Sequence, residues 1–243
     1  MNGTLYLIPN ALGEGTLDTV IPDPVRARTA SLQYFIAENA KSARAFLKLV
    51  GTTHPLRQSL QETHISELNV NTATQQLPAL LTPLLQGHDV GLLSEAGVPA
   101  VADPGADLVR LAHRENITVK PLVGPSSLLL ALMASGLNGQ SFAFHGYLPT
   151  DADARATRLR QLEQRSRQER QTQMFIETPY RNEAMLQAMA ASCSPTTLIC
   201  IATDLTMDTE LVRTTSTQQW QKEIAAGKMP AFRKRPTVFL MLA

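Results

Sequence analysis

Two loops of this sequence carry groups able to hold a ligand. The first is LLSEAGVPAVADPG, residues 92–105, which follows the apolar run DVGLLS. It presents Ser94, Glu95, Ala96, Gly97, Pro99 and Asp103 in quick succession. Gly97 can take backbone angles closed to other residues, or let a ligand approach the main chain. Pro99 and Pro104 lower the entropy cost of holding the loop still. Glu95 and Asp103 can accept hydrogen bonds from a ligand, or cap the helix that follows. The second loop is VGPSS, which places Gly124, Pro125, Ser126 and Ser127 between a strand and an apolar helix. Backbone N–H groups at that helix start, with two hydroxyls beside them, face whatever sits there. Capping accounts for one serine but not for the whole cluster.

Other chemistries are poorly served. The glycine-rich dinucleotide and P-loop fingerprints are absent, as are the GxSxG elbow and HExxH. The five histidines are scattered and no Cys/His group has zinc-ligand spacing, so a non-metal site is expected. Two cysteines, Cys193 and Cys200, make no disulfide framework in 243 residues. With 22 basic and 21 acidic residues the net charge is +1, which gives no global field toward nucleic acid. Local basic clusters are Arg155 to Arg170 and FRKRP, residues 232–236. The first suits either a phosphate-binding surface or a solvated helix, and the second either an RNA backbone or gatekeepers of the last strand against aggregation. No basic, apolar leader opens the chain, and no apolar run approaches the roughly 20 residues of a membrane span. A soluble, cytoplasmic protein is expected.

The elements that must position these loops alternate. TLYLI is a buried strand, AKSARAFLKLVG a helix ending at Gly51, ISELNV a short strand, and ATQQLPALLTPLLQG a helix interrupted by Pro78 and Pro83. DVGLLS, GADLVRLAHREN and ITVKPLVG then read strand, helix, strand. Short connections in that order predict an α/β fold with a largely parallel sheet. After PSSLLLALMASGL the alternation continues: SFAFHGYLP a strand, a long charged helix, TQMFIET, NEAMLQAMAASC and TTLICIAT, with PTVFLMLA as a closing strand. Two α/β domains are predicted, 1–120 and 121–243. In open α/β sheets, ligands bind beyond the C-terminal strand ends, where both loops lie.

The run LLSEAGVPAVADPGADLVRLAHRENITVKPLVGPSSLLLALMASGL strongly resembles the tetrapyrrole methylase superfamily. Within it, the likeness is to bacterial methylases of a cytidine ribose 2′-hydroxyl in small-subunit ribosomal RNA. It continues through FHGYLP, MFIETPYRN and ATDLTMDTELVRTT, so it covers nearly the whole chain. The resemblance implies S-adenosylmethionine held in a cleft between two α/β domains, with no metal and no covalent nucleophile. It implies Ser94, Glu95, Ala96, Gly97 and Pro99 as one wall of the cofactor site and Ser126 and Ser127 as another. Leu205, Pro236 and Thr237 would close the adenosine side. It also implies a homodimer and no membrane partner.

One segment departs from the pattern. Where the family writes AEDTRHTRKLL, this chain has AENAKSARAFL, residues 37–47. Asn39 stands for an aspartate, and Ala40, Lys41 and Ser42 for Thr-Arg-His, while Glu38 and Arg44 are kept. Tyr180 replaces a histidine, beside a retained Arg181. Candidate proton acceptors are thereby lost. The expectation is that Glu38, Lys41, Arg44 and Arg181 serve the acceptor side, with Lys41 stabilising a developing alkoxide. An RNA acceptor leads, a small molecule such as a tetrapyrrole follows, and a non-catalytic binding protein on the same fold is the third reading.

Overall fold

A computed structural model describes residues 1–13 and 17–243. The chain divides into two compact units, residues 1–126 and 127–243. In chain order the first holds β1 (Thr4–Ile8), α1 (Leu17–Val20), α2 (Asp23–Ala30), β2 (Tyr34–Ala37) and α3 (Ala40–Val50). It continues with β3 (His64–Glu67), a 3-10 turn, α4 (Leu77–Leu80), α5 (Thr82–Leu85), β4 (Val90–Leu93), α6 (Gly105–Arg114) and β5 (Thr118–Pro121).

The five strands form a sheet of order β3-β2-β4-β1-β5, and every pairing is parallel. Strands buried on both faces need apolar residues pointing both ways, and these alternate as pleating requires. Leu5, Ile36 and Leu92 pack with Leu81, Leu84, Leu108 and Ala112 of α5, α6 and the turn before α5. Tyr6, Phe35 and Leu93 point oppositely, against Ala43, Phe46, Leu47 and Val50 of α3. Because all strands run the same way, the loops after β1, β2, β4 and β5 gather at one edge.

Several local expectations need adjusting. Pro22 is the cap position of α2 and Pro24 sits in its first turn, where its missing N–H costs nothing. Pro78 and Pro83 open two separate four-residue helices, α4 and α5, rather than bending one. Gly51 does cap α3, but in right-handed conformation. Asn39 starts that helix, its side chain accepting the Lys41 and Ser42 N–H groups at 2.8 and 3.2 Å.

The second unit holds α7 (Ser127–Ser135), β6 (Phe142–Tyr147), α8 (Ala152–Glu169), β7 (Thr172–Ile176) and, after a 3-10 turn, α9 (Asn182–Ser192). β8 (Leu198–Thr203), β9 (Leu211–Ser216), α10 (Thr217–Ala225) and β10 (Thr237–Leu242) complete it. Its sheet is mixed, of order β6-β7-β10-β8-β9, parallel only between β6 and β7. Phe175, Ile199, Ile201, Phe239 and Met241 pack with Leu159 and Leu162 of α8, Met185 and Leu186 of α9, and Trp220 of α10. The charged helix α8 is therefore not exposed all round. Its Glu163 is buried and accepts the Ser194 N–H at 2.7 Å. No turn separates β9 from α10, because Ser216 ends the strand and caps the helix. Burial pushes the Cys193 thiol up to about 12 and the Cys200 thiol to about 11.

Candidate functional site

In the first unit the strand-end edge is built around an unusual join. The loops after the parallel neighbours β1 and β4 pair antiparallel, Asn10 N–H donating to Gly97 O at 2.8 Å and Gly97 N–H to Asn10 O at 3.1 Å. The Asn10 amide also donates to the Ser94 and Glu95 carbonyls at 3.3 and 3.0 Å. Ser94 turns its hydroxyl inward onto the Ala96 and Gly97 carbonyls, at 3.3 and 3.2 Å, so it staples the loop. Gly97 has φ +71°, and a Cβ there would stand 3.2 Å from Leu12 Cδ2 and 3.6 Å from Pro125 O. Three loops, after β1, β4 and β5, thus meet at one glycine.

Further along, Ala100 and Ala102 hold φ of +65° and +60°, unusual for residues with a Cβ. Asp103 secures them by accepting the Ala100 and Gly105 N–H groups, both at 2.8 Å. It thereby satisfies the first N–H of α6, although the cap position itself is Pro104. Burial nonetheless raises its proton affinity, against the lowering effect of those two bonds. Glu38, the first residue after β2, is raised by burial, then by the charges of Asp103 and Glu95, although the Glu95 N–H donates to it. Three carboxylates from two loops, Glu38 after β2 and Glu95 and Asp103 after β4, therefore share this edge. Each is among the first polar residues after a strand, a signal present in the sequence but not combined there.

Glu95 and Ala96 are exposed, whereas Pro99 is buried as loop framework. Glu95 and Ala96 also line a cavity of about 560 Å³ with Asn10, Leu12, Ser42 and Phe46. That volume lies within the range of small-molecule sites. Lys41 and Arg44 are exposed on α3, and Arg44 reaches back to the Ala40 carbonyl at 3.4 Å. Neither side chain joins the carboxylate cluster by any hydrogen bond or ion pair seen among the described residues. Ser126 ends the first unit and Ser127 opens the second, as the first residue of α7.

The second unit has its own polar edge, where β7 and β8 end and β10 begins. Glu177 Oε1 accepts the Thr178 N–H and an Arg181 N–H, both at 2.6 Å, while buried Oε2 has no partner. Asn182 is wholly buried. Its amide donates to the Phe232 and Arg235 carbonyls and to Thr237 Oγ1, at 3.2, 2.7 and 3.0 Å, leaving Oδ1 unpartnered. Thr237 Oγ1 also lies 3.0 Å from Thr203 Oγ1. Leu205 is buried, and Pro236 accepts the Asp204 N–H at 3.0 Å. Thr206, at φ +73°, keeps a buried hydroxyl without a partner. Orphaned buried polar atoms are costly and call for an explanation. Glu177, Asn182 and Thr206 went unnoticed as candidates because burial is what distinguishes them, and burial is not written in sequence.

The basic clusters are partly consumed. Arg235 pairs with Asp204 at 2.6 Å and binds the Ala231 and Thr209 carbonyls, so FRKRP offers only Arg233 and Lys234 outward. On α8, Arg165 pairs with Glu169 at 3.1 Å.

The model of the family described as Tetrapyrrole (Corrin/Porphyrin) Methylases matches residues 23–220. The chain belongs to the tetrapyrrole methylase family. That places it among methyltransferase enzymes. A ribosomal RNA small subunit methyltransferase I of Xylella fastidiosa is 32% identical over 222 residues, 90% of this chain and 75% of the relative. Proteins of the same name from Streptococcus pyogenes and Mesorhizobium japonicum are 32% and 37% identical. This chain spans 61% and 51% of their lengths. Among solved structures, the methyltransferase CobJ aligns at TM-score 0.62 and 17% identity, over 99% of this chain and 94% of its own. Uroporphyrin-III-C-methyltransferase from Thermus thermophilus aligns at TM-score 0.52 and 17% identity, over 100% and 93%. These two likenesses establish the tetrapyrrole methylase fold. Among the described residues, no helix is long and apolar enough to cross a membrane.

Proposed function

We propose that this chain is an S-adenosylmethionine-dependent methyltransferase acting on RNA, with a ribose 2′-hydroxyl of small-subunit ribosomal RNA as leading acceptor. The observation that carries it is the carboxylate edge formed by Glu38 and by Glu95 and Asp103 of the loop held rigid around Gly97. Such an edge is complementary to a cationic cofactor and hostile to an anionic one. The relatives named for ribosomal RNA methylation supply the acceptor class.

The donor set fits the cofactor. S-adenosylmethionine carries a sulfonium and an ammonium, which suit the carboxylates. Its ribose hydroxyls and adenine amino group are donors, which suit acceptor oxygens. When bound it supplies an electrophilic methyl group. The protein's own work is then alignment, exclusion of water and handling of one proton. Ser94, Ala96, Gly97 and Pro99 fix the loop, and this reading keeps Ser126 and Ser127 as further cofactor contacts. Glu38 is the group we assign to accept the hydroxyl proton, since burial and its acidic neighbours raise its affinity for one. Lys41 and Arg44 are the exposed cations left to meet an RNA backbone or steady the acceptor oxygen. Arg181 acts in this reading as a positioning residue for Glu177, and Leu205, Pro236 and Thr237 as framework for the adenosine side. The same reading carries a homodimer and a cytoplasmic location, the former checked by light scattering at about twice 26.5 kDa.

The half-apolar cavity beside Glu95 and Ser42 favours the runner-up, a small-molecule acceptor. Transfer of labelled methyl from the cofactor decides, using isolated small ribosomal subunits, total RNA and a metabolite extract in parallel. Label in subunit RNA, lost in Glu38→Gln with binding of S-adenosylhomocysteine retained, is expected. Label confined to metabolites replaces the RNA reading, and no label with intact cofactor binding leaves a non-catalytic protein.

A further inference from the structure

The first sheet has a second polar edge, opposite the carboxylates. A cavity of about 350 Å³ opens where β2 and β4 begin, lined by Arg28, Gln33, Tyr34, Arg57, His88 and Asp89 among others. From Tyr34 to Glu38 is four residues of extended chain, about 13 Å at roughly 3.3 Å each. The pocket is therefore separate from the site already described.

Its charge is set by what is left unpaired. Among the described residues, neither Arg28 nor Arg57 has a carboxylate partner, whereas Arg26, Arg110, Arg181, Arg213 and Arg235 each have one. Asp89 faces the same space, but its Oδ1 accepts the Thr4 N–H at 2.8 Å. Two guanidinium charges against one committed carboxylate leave the cavity cationic. Arg28 is held in place over the Tyr6 ring, 5.0 Å from its centroid. Arg57 is fixed through its backbone, its N–H donating to Ala30 O at 2.9 Å.

An aromatic wall stands beside these cations. Tyr34 lies 4.9 Å from His64, nearly parallel, and 4.9 Å from His88. Both imidazoles are exposed, so the stack offers a flat outer face. Guanidinium groups beside an aromatic stack match a phosphodiester with its neighbouring base, the combination that single-stranded RNA presents. The sheet is thus polarised: its acidic edge repels phosphate and its basic edge attracts it.

We propose that this pocket is an RNA-backbone subsite, in which Arg28 and Arg57 grip phosphate and the Tyr34 stack supports a base. It rests on the RNA reading of the acceptor and adds where the strand is held. It also answers how a chain of net charge +1 retains RNA without a global field. The grip is local and remote from the reacting edge.

The test is fluorescence anisotropy with a labelled small-subunit RNA fragment over a salt series. The Arg28→Gln/Arg57→Gln double variant is compared with Arg110→Gln/Arg114→Gln, which loses the same charge from α6. Two lost phosphate contacts should flatten the log–log salt slope by about 1.4 and weaken binding about tenfold near physiological salt. The control pair should move far less, and S-adenosylhomocysteine affinity and melting should not change in either. A double variant that matches wild type or the control overturns the proposal. So does inorganic phosphate or AMP perturbing the His88 and His64 NMR signals while RNA binding ignores the variant, since the pocket would then serve a free anion. If wild type binds RNA through these arginines yet methylates none, the acceptor reading fails and the subsite stands. If it methylates RNA and the double variant is indifferent, the subsite alone fails.

Discussion

Replacing Gly97 by alanine separates backbone strain from contact. At φ +71° an L-residue pays about 1–2 kcal/mol to sit in the left-handed region. The new Cβ meets Leu12 Cδ2 at 3.2 Å, the movable end of a side chain, and reaches Pro125 O only at 3.6 Å, so contact adds little. The expected loss is therefore about 1–2 kcal/mol, or some 2–8 °C in melting temperature for a chain of this size. Valine adds branching that the left-handed region tolerates poorly, moving the cost to about 3 kcal/mol. Two internal controls calibrate the scale. Gly136 has φ +69° and open space, so Gly136→Ala should show strain alone. Gly139 has neither constraint, so Gly139→Ala should stay within about 0.5 kcal/mol. Urea unfolding by far-UV circular dichroism reads the loss. Trp220, the chain's single tryptophan, belongs to the other unit and serves as the channel that should not respond to Gly97. Amide exchange at Asn10 and Gly97 should quicken, because their mutual hydrogen bonds depend on that turn. Gly97→Ala behaving like Gly139→Ala would refute the account of the loop.

Asn39→Ala should cost about 0.5–2 kcal/mol by removing the α3 cap, while Asn39→Asp keeps it, with thermal melts as the check. Glu38 binds its proton more tightly folded than unfolded. Its stabilising share is complete in acid and is lost as pH rises from the ordinary carboxylate range through the raised folded value. Glu38→Gln should accordingly melt higher than wild type at neutral pH, by under about 1 kcal/mol given its partial exposure. The gap should close in acid, and the variant should bind S-adenosylhomocysteine no better; a lower neutral melt contradicts the assigned repulsion. Cys193 and Cys200, pushed to about 12 and about 11, should resist a thiol reagent at pH near 8 until urea opens the second unit. Fast modification of the native protein would contradict their burial.

Strand and helix order was legible because both signals are periodic. TLYLI, DVGLLS and PTVFLMLA are short apolar runs between turn residues, and the helices AKSARAFLKLV and GADLVRLAHR alternate their faces. Strand pairing was not legible, since nothing local says that β10 inserts between β7 and β8. The prolines misled at Pro78 and Pro83, which open separate helices because the first helical turn accepts what the interior rejects. At the site, loop composition pointed to residues 94–99. It did not reveal that the Ser94 hydroxyl turns inward, nor that Glu38, Glu95 and Asp103 converge, because convergence depends on sheet order. Asn39 read as a lost acid in the sequence, whereas its amide oxygen does the structural work of a helix cap. The Arg28 and Arg57 pocket left no trace in the sequence, as its residues come from three separate segments.

The position of β10 has a consequence for synthesis. Every strand of the first sheet is contained in residues 4–121, so that unit can close while the ribosome is still adding the following 117 residues. At about 5–20 residues per second, that is a lead of roughly 6–23 s. The second sheet has no such freedom. Its central strand, Thr237–Leu242, is translated after the sheet's other four strands, so its two neighbours β7 and β8 emerge with their pairing edges open and must wait for it. The nascent chain therefore carries a finished domain upstream of an unfinished one. The interval before β10 clears the exit tunnel is when it is most exposed to aggregation and most in need of a chaperone.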